Sequence, residues 1–287
     1  MTRKLVLAPV LWSSLILVVA QVITLLIAAR EKVFVEANNF PSPQVGLDIP
    51  VIYFFAAVVV IGLILFMIPI SKLRLILLVL FAFIFAWGIF ILASLFLTVY
   101  ISIPLAVAAG LVWLFKPKVW LHNLLLLIAL MSVGLVFGYL LSPWTAMLFL
   151  LIISVYDAVS VRLGHMMWMA NKLSESNVLP AFIFPRINQH WNLNLKNTGF
   201  KRLLVETTEK EFSILGGGDI GFPLLLAVSV YFNYGYAGAI VVAVFSVVGL
   251  IGAYLVQAFL LKGKPTPALP TIAVASLIGF LIVYYSI

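Results

Sequence analysis

Long, nearly unbroken apolar runs dominate this sequence and decide what it can fold into. A helix needs roughly 20 apolar residues to cross the hydrocarbon of a bilayer. Such runs occupy residues 5–29, 51–70, 75–95, 96–115, 119–141, 144–162, 212–232, 237–261 and 267–287. The third and fourth are continuous in hydropathy. They are divided near 95–100, because a single helix over both would be about twice the bilayer thickness. Pro104 then falls early in the fourth. Of all residues, 65% are hydrophobic and 9% charged, against about 25% charged in soluble domains. A water-soluble core of this length could not hide so much apolar surface. The expected fold is therefore an all-α integral membrane bundle of nine transmembrane helices.

The basic residues test this segmentation. Arg3 and Lys4 precede the first run, but that run is too long for the apolar region of a signal peptide, so a retained helix is expected. The N-terminus and the second, fourth, sixth and eighth loops hold fifteen of the seventeen Lys and Arg, with Arg162 counted in the sixth loop. The first loop holds the other two, Arg30 and Lys32, and the third, fifth and seventh hold none. A wrong helix count would scramble that alternation. Lys and Arg gather on the cytoplasmic side, which puts the N-terminus inside and the C-terminus outside. Three parts follow: a six-helix membrane part over 1–162, a cytoplasmic loop over 163–211, and a three-helix membrane part over 212–287. The apolar patch 178–185 of the loop is expected to rest on the membrane surface. The net charge of +8 is accounted for by these loops, and no nucleic-acid partner is implied. No internal repeat is visible, which weakens an inverted-repeat transporter reading.

Chemistry is narrowed first by what is missing. The chain has no cysteine, so disulfides, thiol catalysis and Cys-ligated metals are excluded. His122, His165 and His190 are scattered, with no H-E-x-x-H for zinc and no G-x-S-x-G for a serine nucleophile. No metal and no cofactor are expected. Of nine acidic residues, seven fall in loops or at helix ends, and Asp157 and Asp219 lie inside apolar runs. An acid at that depth costs at least a few kcal/mol and marks a functional site unless it is a structural, protonated carboxyl. With two acids and no intramembrane Lys or Arg to pair them, the structural explanation weakens. Two carboxyls brought close cannot both ionise, so they hold one proton between them. One can then act as base on water while the other protonates a carbonyl oxygen, as in aspartic proteases. Because the two lie on different helices, spacing alone does not show that they meet.

The surroundings of the acids add to this. Gly216, Gly217 and Gly218 directly precede Asp219. Each glycine weakens a helix by roughly 1 kcal/mol relative to alanine, so a loosened turn beside the acid is expected. The competing explanation is small-residue helix packing through Gly217 and Gly221. Tyr156 adjoins Asp157 and serves either as a hydrogen-bonding partner in the site or as an interfacial aromatic. Pro265, Pro267 and Pro270 interrupt the start of the last run. Irregular backbone is tolerated in a membrane only against protein or a water-filled cavity.

Tyr156-Asp157, Gly216-Gly217-Gly218-Asp219 and Pro267-Ala268-Leu269 occur in this order on the sixth, seventh and ninth predicted helices. In this the chain resembles the presenilin and signal peptide peptidase family of GxGD intramembrane aspartyl proteases, and it looks like a short archaeal presenilin homologue. The charge-derived orientation and the run Pro267-Ala268-Leu269-Pro270 resemble the presenilin branch. Gly217 is a departure, since the family usually carries Leu there. The resemblance implies a multi-pass protein of a prokaryotic cell membrane that cleaves transmembrane-helix substrates. It implies Asp157 and Asp219 as the catalytic pair, with Pro267, Ala268 and Leu269 shaping the site. A homo-oligomer is left open. The rival reading is a proton- or cation-coupled transporter or ion leak channel using the same acids.

The orientation has a direct test. A reporter fused after Ile287 should read as extracytoplasmic, and a cytoplasmic signal would mean that the helix count is wrong by one.

Overall fold

Lipid offers the backbone no hydrogen-bond partners, so a spanning segment must satisfy its own amides, and a helix does this within one segment. The computed structural model describes residues 7–37, 70–164, 178–185, 188–195, 212–260 and 267–286. Five helices come first: α1 (Leu7–Ala37), α2 (Ile70–Ser94), α3 (Val99–Phe115), α4 (Val119–Leu140) and α5 (Pro143–Arg162). Then follow strand β1 (Ala181–Pro185), a 3₁₀ turn (Asn188–Asn192), strand β2 (Phe212–Gly216), helix α6 (Gly218–Leu255), a π turn (Val256–Leu260) and helix α7 (Leu269–Ser286). Among the described residues, six helices are long and apolar enough to cross a membrane, and α3 is shorter, with 17 residues. The expected span 51–70 lies, except for Ile70, outside the described residues.

Local signals set the helix ends. The fused apolar run breaks where expected: α2 ends at Ser94, whose hydroxyl donates to the Ile91 carbonyl at 2.8 Å. The Thr98 carbonyl then receives the N–H groups of Ile101 and Ser102, both at 3.0 Å, and opens α3. At the start of α5, the Ser142 hydroxyl accepts the Thr145 N–H at 3.3 Å with Pro143 behind it, which is the residue pairing a helix start favours. Helix α6 is two helices joined at Gly235, whose φ of 78° and ψ of −173° form a conformation open essentially only to glycine.

The chain divides into two compact units, each discontinuous in sequence. The first comprises residues 1–46, 133–166 and 218–287. In it α5, α6 and α7 pack on one another and α1 packs on α6. The Gln21 amide donates to the Ser246 hydroxyl at 2.7 Å in the buried α1–α6 contact. Its core joins Met147 and Leu150 of α5, Leu226 and Val242 of α6, and Phe280 of α7. The second unit comprises 47–132 and 167–217. There Phe85 and Trp113 meet edge to face at 5.0 Å, and β1 pairs antiparallel with β2 from Ala181–Gly216 to Pro185–Phe212.

Two expectations change here. Residues 212–216 are not the first turns of a helix but strand β2, and the helix begins at Gly218. The patch 178–185 does not rest on a membrane surface: Val178, Leu179, Phe182 and Ile183 are buried, with β1 paired to β2.

Helix association in lipid rests on close packing rather than on a hydrophobic drive. At Gly249 an added Cβ would lie 2.7 Å from Ile272 Cα, whereas at Gly252 it would meet nothing within 4 Å. Overpacking typically costs about 1–3 kcal/mol, while alanine favours a helix by roughly 1 kcal/mol over glycine. Thermal unfolding in detergent should therefore fall for Gly249→Ala and stay level or rise for Gly252→Ala.

Candidate active site

Helix α5 carries Asp157 five residues before its end at Arg162. The carboxyl is half-buried, and its Oδ2 accepts the backbone N–H of Leu269 at 3.3 Å. Leu269 is the first residue of α7, and its side chain is buried in the core with Ala146, Met147 and Leu150 of α5. The first amides of a helix have no partner within it, so Asp157 supplies one to α7 from a neighbouring helix. The Ala268 carbonyl accepts the Ile272 N–H at 3.2 Å and the Thr271 hydroxyl at 2.8 Å. A proline-rich stretch of this kind is expected to offer open backbone groups. Here the Leu269 N–H and the Ala268 carbonyl are already engaged.

Asp219 is the second residue of α6 and is half-buried. The chain reaches it from β2 through a tight turn. Gly216 ends the strand, Gly217 forms the turn with its N–H donating to the Pro180 carbonyl at 2.9 Å, and Gly218 opens the helix. A Cβ on Gly217 would stand 3.1 Å from that same carbonyl, and one on Gly218 would stand 3.3 Å from the Phe222 ring. The glycines therefore serve a strand-to-helix turn rather than a loosened helix. Gly217 lies outside α6 and does not pair with Gly221 in helix packing. Asp219 sits in the first turn of α6, where the helix dipole favours negative charge.

A neighbour of Asp219 and that neighbour's own partner leave no mark in the sequence. Tyr254, late in the second arm of α6, lies within electrostatic reach of Asp219, and its hydroxyl is hydrogen-bonded to the Ser13 side chain of α1. An isolated Ser or Tyr in an apolar run carries no signal of such a role. Tyr156 is 55% exposed and shares an outward apolar stripe with Ile152, Val155 and Val159, the spacing of one helix face. The geometry thus joins Asp157 to Leu269 directly, and α6 holds Asp219 in the same compact unit.

A polytopic helical protein with two half-buried acids, one preceded by a glycine turn and the other tied to a proline-led helix, defines a narrow class. The family model for signal-peptide peptidase, presenilin aspartyl protease matches residues 14–286. The chain belongs to this family of intramembrane aspartic endopeptidases. No curated protein matches it. A presenilin family intramembrane aspartate protease solved in space group C222 is similar in fold, with a TM-score of 0.60 and 21% identity, over 97% of this chain and 100% of that one. The structure of such a protease in space group P2 gives a TM-score of 0.58 and 21% identity, over 96% of each chain.

The turn before Asp219 is open to test. Gly218→Leu places a branched side chain against Phe222 beside the acid. Cleavage of a helical peptide in detergent should fall by roughly tenfold or more, while the protein still inserts and folds. Full activity would reduce Gly218 to a packing detail.

Proposed function

We propose that Asp157 and Asp219 are the catalytic pair of this intramembrane aspartyl protease and that its substrates are transmembrane helices. The observation that carries the reading is the Leu269 N–H bond to Asp157 Oδ2. It links two of the three motif segments, and the third carries Asp219 within the same unit. One carboxylate takes a proton from water, and the resulting hydroxide attacks the scissile carbonyl carbon. The other, protonated, acid delivers its proton to the carbonyl oxygen. The gem-diol intermediate then collapses: the first acid gives the proton it took from water to the nitrogen, the C–N bond breaks, and one gem-diol hydroxyl gives its proton to the second carboxylate, which restores the starting protonation of the pair. The Leu269 amide holds Asp157 in place throughout. Gly216, Gly217 and Gly218 bring Asp219 to the first turn of α6, and Pro267 and Ala268 shape the approach to Leu269. Tyr156 lines the outward face of α5 beside the acid.

The same reading completes the topology. Counting residues 51–70 as a span and α6 as two gives nine, with the N-terminus and 163–211 cytoplasmic, in a prokaryotic, archaeal cell membrane. The 15-to-2 distribution of Lys and Arg supports this orientation. The family assignment lends nothing to the transporter alternative.

The decisive measurement compares purified wild type with Asp157→Asn and Asp219→Asn on a helical peptide. Each single variant should lose cleavage, and the double variant should lose little more, since residues that act as a unit are not additive. Activity in wild type should follow a bell-shaped pH profile set by the singly protonated pair. Substantial cleavage by either variant would sink the dyad.

A further inference from the structure

The first turns of α4 carry a buried polar pair, His122 and Asn123, that this chemistry does not use. His122 is fully buried and Asn123 is 7% exposed. The Asn123 amide nitrogen donates to the Ile183 carbonyl at 2.7 Å, and its amide oxygen accepts the Ile183 N–H at 3.0 Å. A side chain that gives and receives on one residue copies the backbone of a paired antiparallel strand. His122 Nε2 lies 3.1 Å from the Ala181 carbonyl, which can only accept, so this nitrogen carries the proton. Residues 181 and 183 alternate along β1, so their polar groups share one edge of the strand. The Gly217 N–H bonds the Pro180 carbonyl, and in an antiparallel register bonded pairs alternate, so Phe182 and Phe184 are the β1 residues that exchange bonds with β2. The α4 pair thus occupies the edge of β1 that β2 leaves free.

A two-stranded pair of five residues is marginal alone. A one-residue slip is resisted by burial, because it turns every side chain over. A two-residue slip keeps the faces, and the hydrophobic pattern does not oppose it. Only a bond addressed to a particular residue does, and the Asn123–Ile183 pair is such a bond. A slip of that size would carry β2 along by about 7 Å, at some 3.3 Å per residue. Strand β2 ends at Gly216, and Gly217 and Gly218 alone separate it from Asp219.

We infer that Asn123, seconded by His122, is a positioning residue of the protease: it fixes β1 along α4 and so fixes the frame from which β2 delivers the chain to Asp219. The inference rests on the proposed role of Asp219. Its signature is in where the substrate is cut as well as how fast, which a merely structural bond would not alter.

The test uses the full-length enzyme in detergent and a synthetic peptide of one apolar helix flanked by lysines, with product ends read by mass spectrometry. Ser132→Ala is the control. It removes another buried bond of α4, from the Ser132 hydroxyl to the Gly88 carbonyl at 2.7 Å, with no link to β1. Asn123→Leu should lower kcat roughly tenfold with KM little changed, and should spread the cuts over neighbouring peptide bonds. Ser132→Ala should keep the wild-type product ends even if its melting temperature falls. Asn123→Gln, the same chemistry on a longer arm, should fold and move the main cut, and it decides the matter if the leucine variant does not fold. Wild-type product ends in every folded Asn123 variant would overturn the inference. A wild-type enzyme that cuts nothing would overturn the protease reading itself, and this inference with it.

Discussion

A backbone inside lipid has no water to bind, so each departure from helix must be met by another group of the protein. The described departures follow this rule. The Leu141 carbonyl, just past the end of α4, is met by the Ser229 hydroxyl of α6. Near the break at Gly235, the Asn233 amide donates to the Ser229 carbonyl at 2.8 Å. The start of α7 is met by Asp157. The acid that the proposed chemistry requires is therefore also part of the scaffold, since it satisfies an amide that would otherwise lie open in the apolar interior. Function and folding place the same demand on this residue.

Helix contact is governed by a second consequence of lipid. Association gains little from hydrophobicity there and depends on how near the backbones come. Added Cβ atoms would fall 2.8 Å from Val283 at Gly238, 2.8 Å from Phe245 at Gly279, 2.7 Å from Ala129 at Gly88 and 2.9 Å from the Ala82 carbonyl at Gly110. These glycines set the spacing of α6 with α7 in one unit and of α2 with its neighbours in the other. The Gln21–Ser246 bond adds a directional tie where apolar packing alone would leave α1 free to turn.

Much of this was legible because hydropathy over twenty residues is a long signal. The runs at 75–95, 119–141, 144–162 and 267–287 appear as helices within a few residues of their expected ends, and the break between α2 and α3 falls at 95–98. Strand β2 was not legible. Phe212-Ser213-Ile214-Leu215-Gly216 is apolar and continuous with the span after it, and a short apolar run does not separate strand from helix by its period. Its partner β1 lies some 30 residues earlier in a polar segment, so the pairing leaves no local trace. In the sequence His122 is one of three scattered histidines with no metal or catalytic motif around it. The clue was its neighbour: two polar residues together at the head of an apolar helix call for a partner.

The strand also explains the glycines in physical terms. An aspartate in the middle of a helix finds only side chains around it, since the backbone amides there are bonded within the helix. Asp219 escapes this because the chain turns from strand to helix two residues before it, which puts the acid in the first turn, at the positive end of the helix dipole. Asp157 lies well inside its own helix and draws instead on the first amide of α7. Each acid is thus placed at the amino end of a helix, one at its own and one at a neighbour's. The partial positive charge at such an end offsets part of the cost of a carboxylate in an apolar surround. That placement lets a carboxyl stay in an apolar surround, which is what the proposed proton-sharing pair asks of both acids.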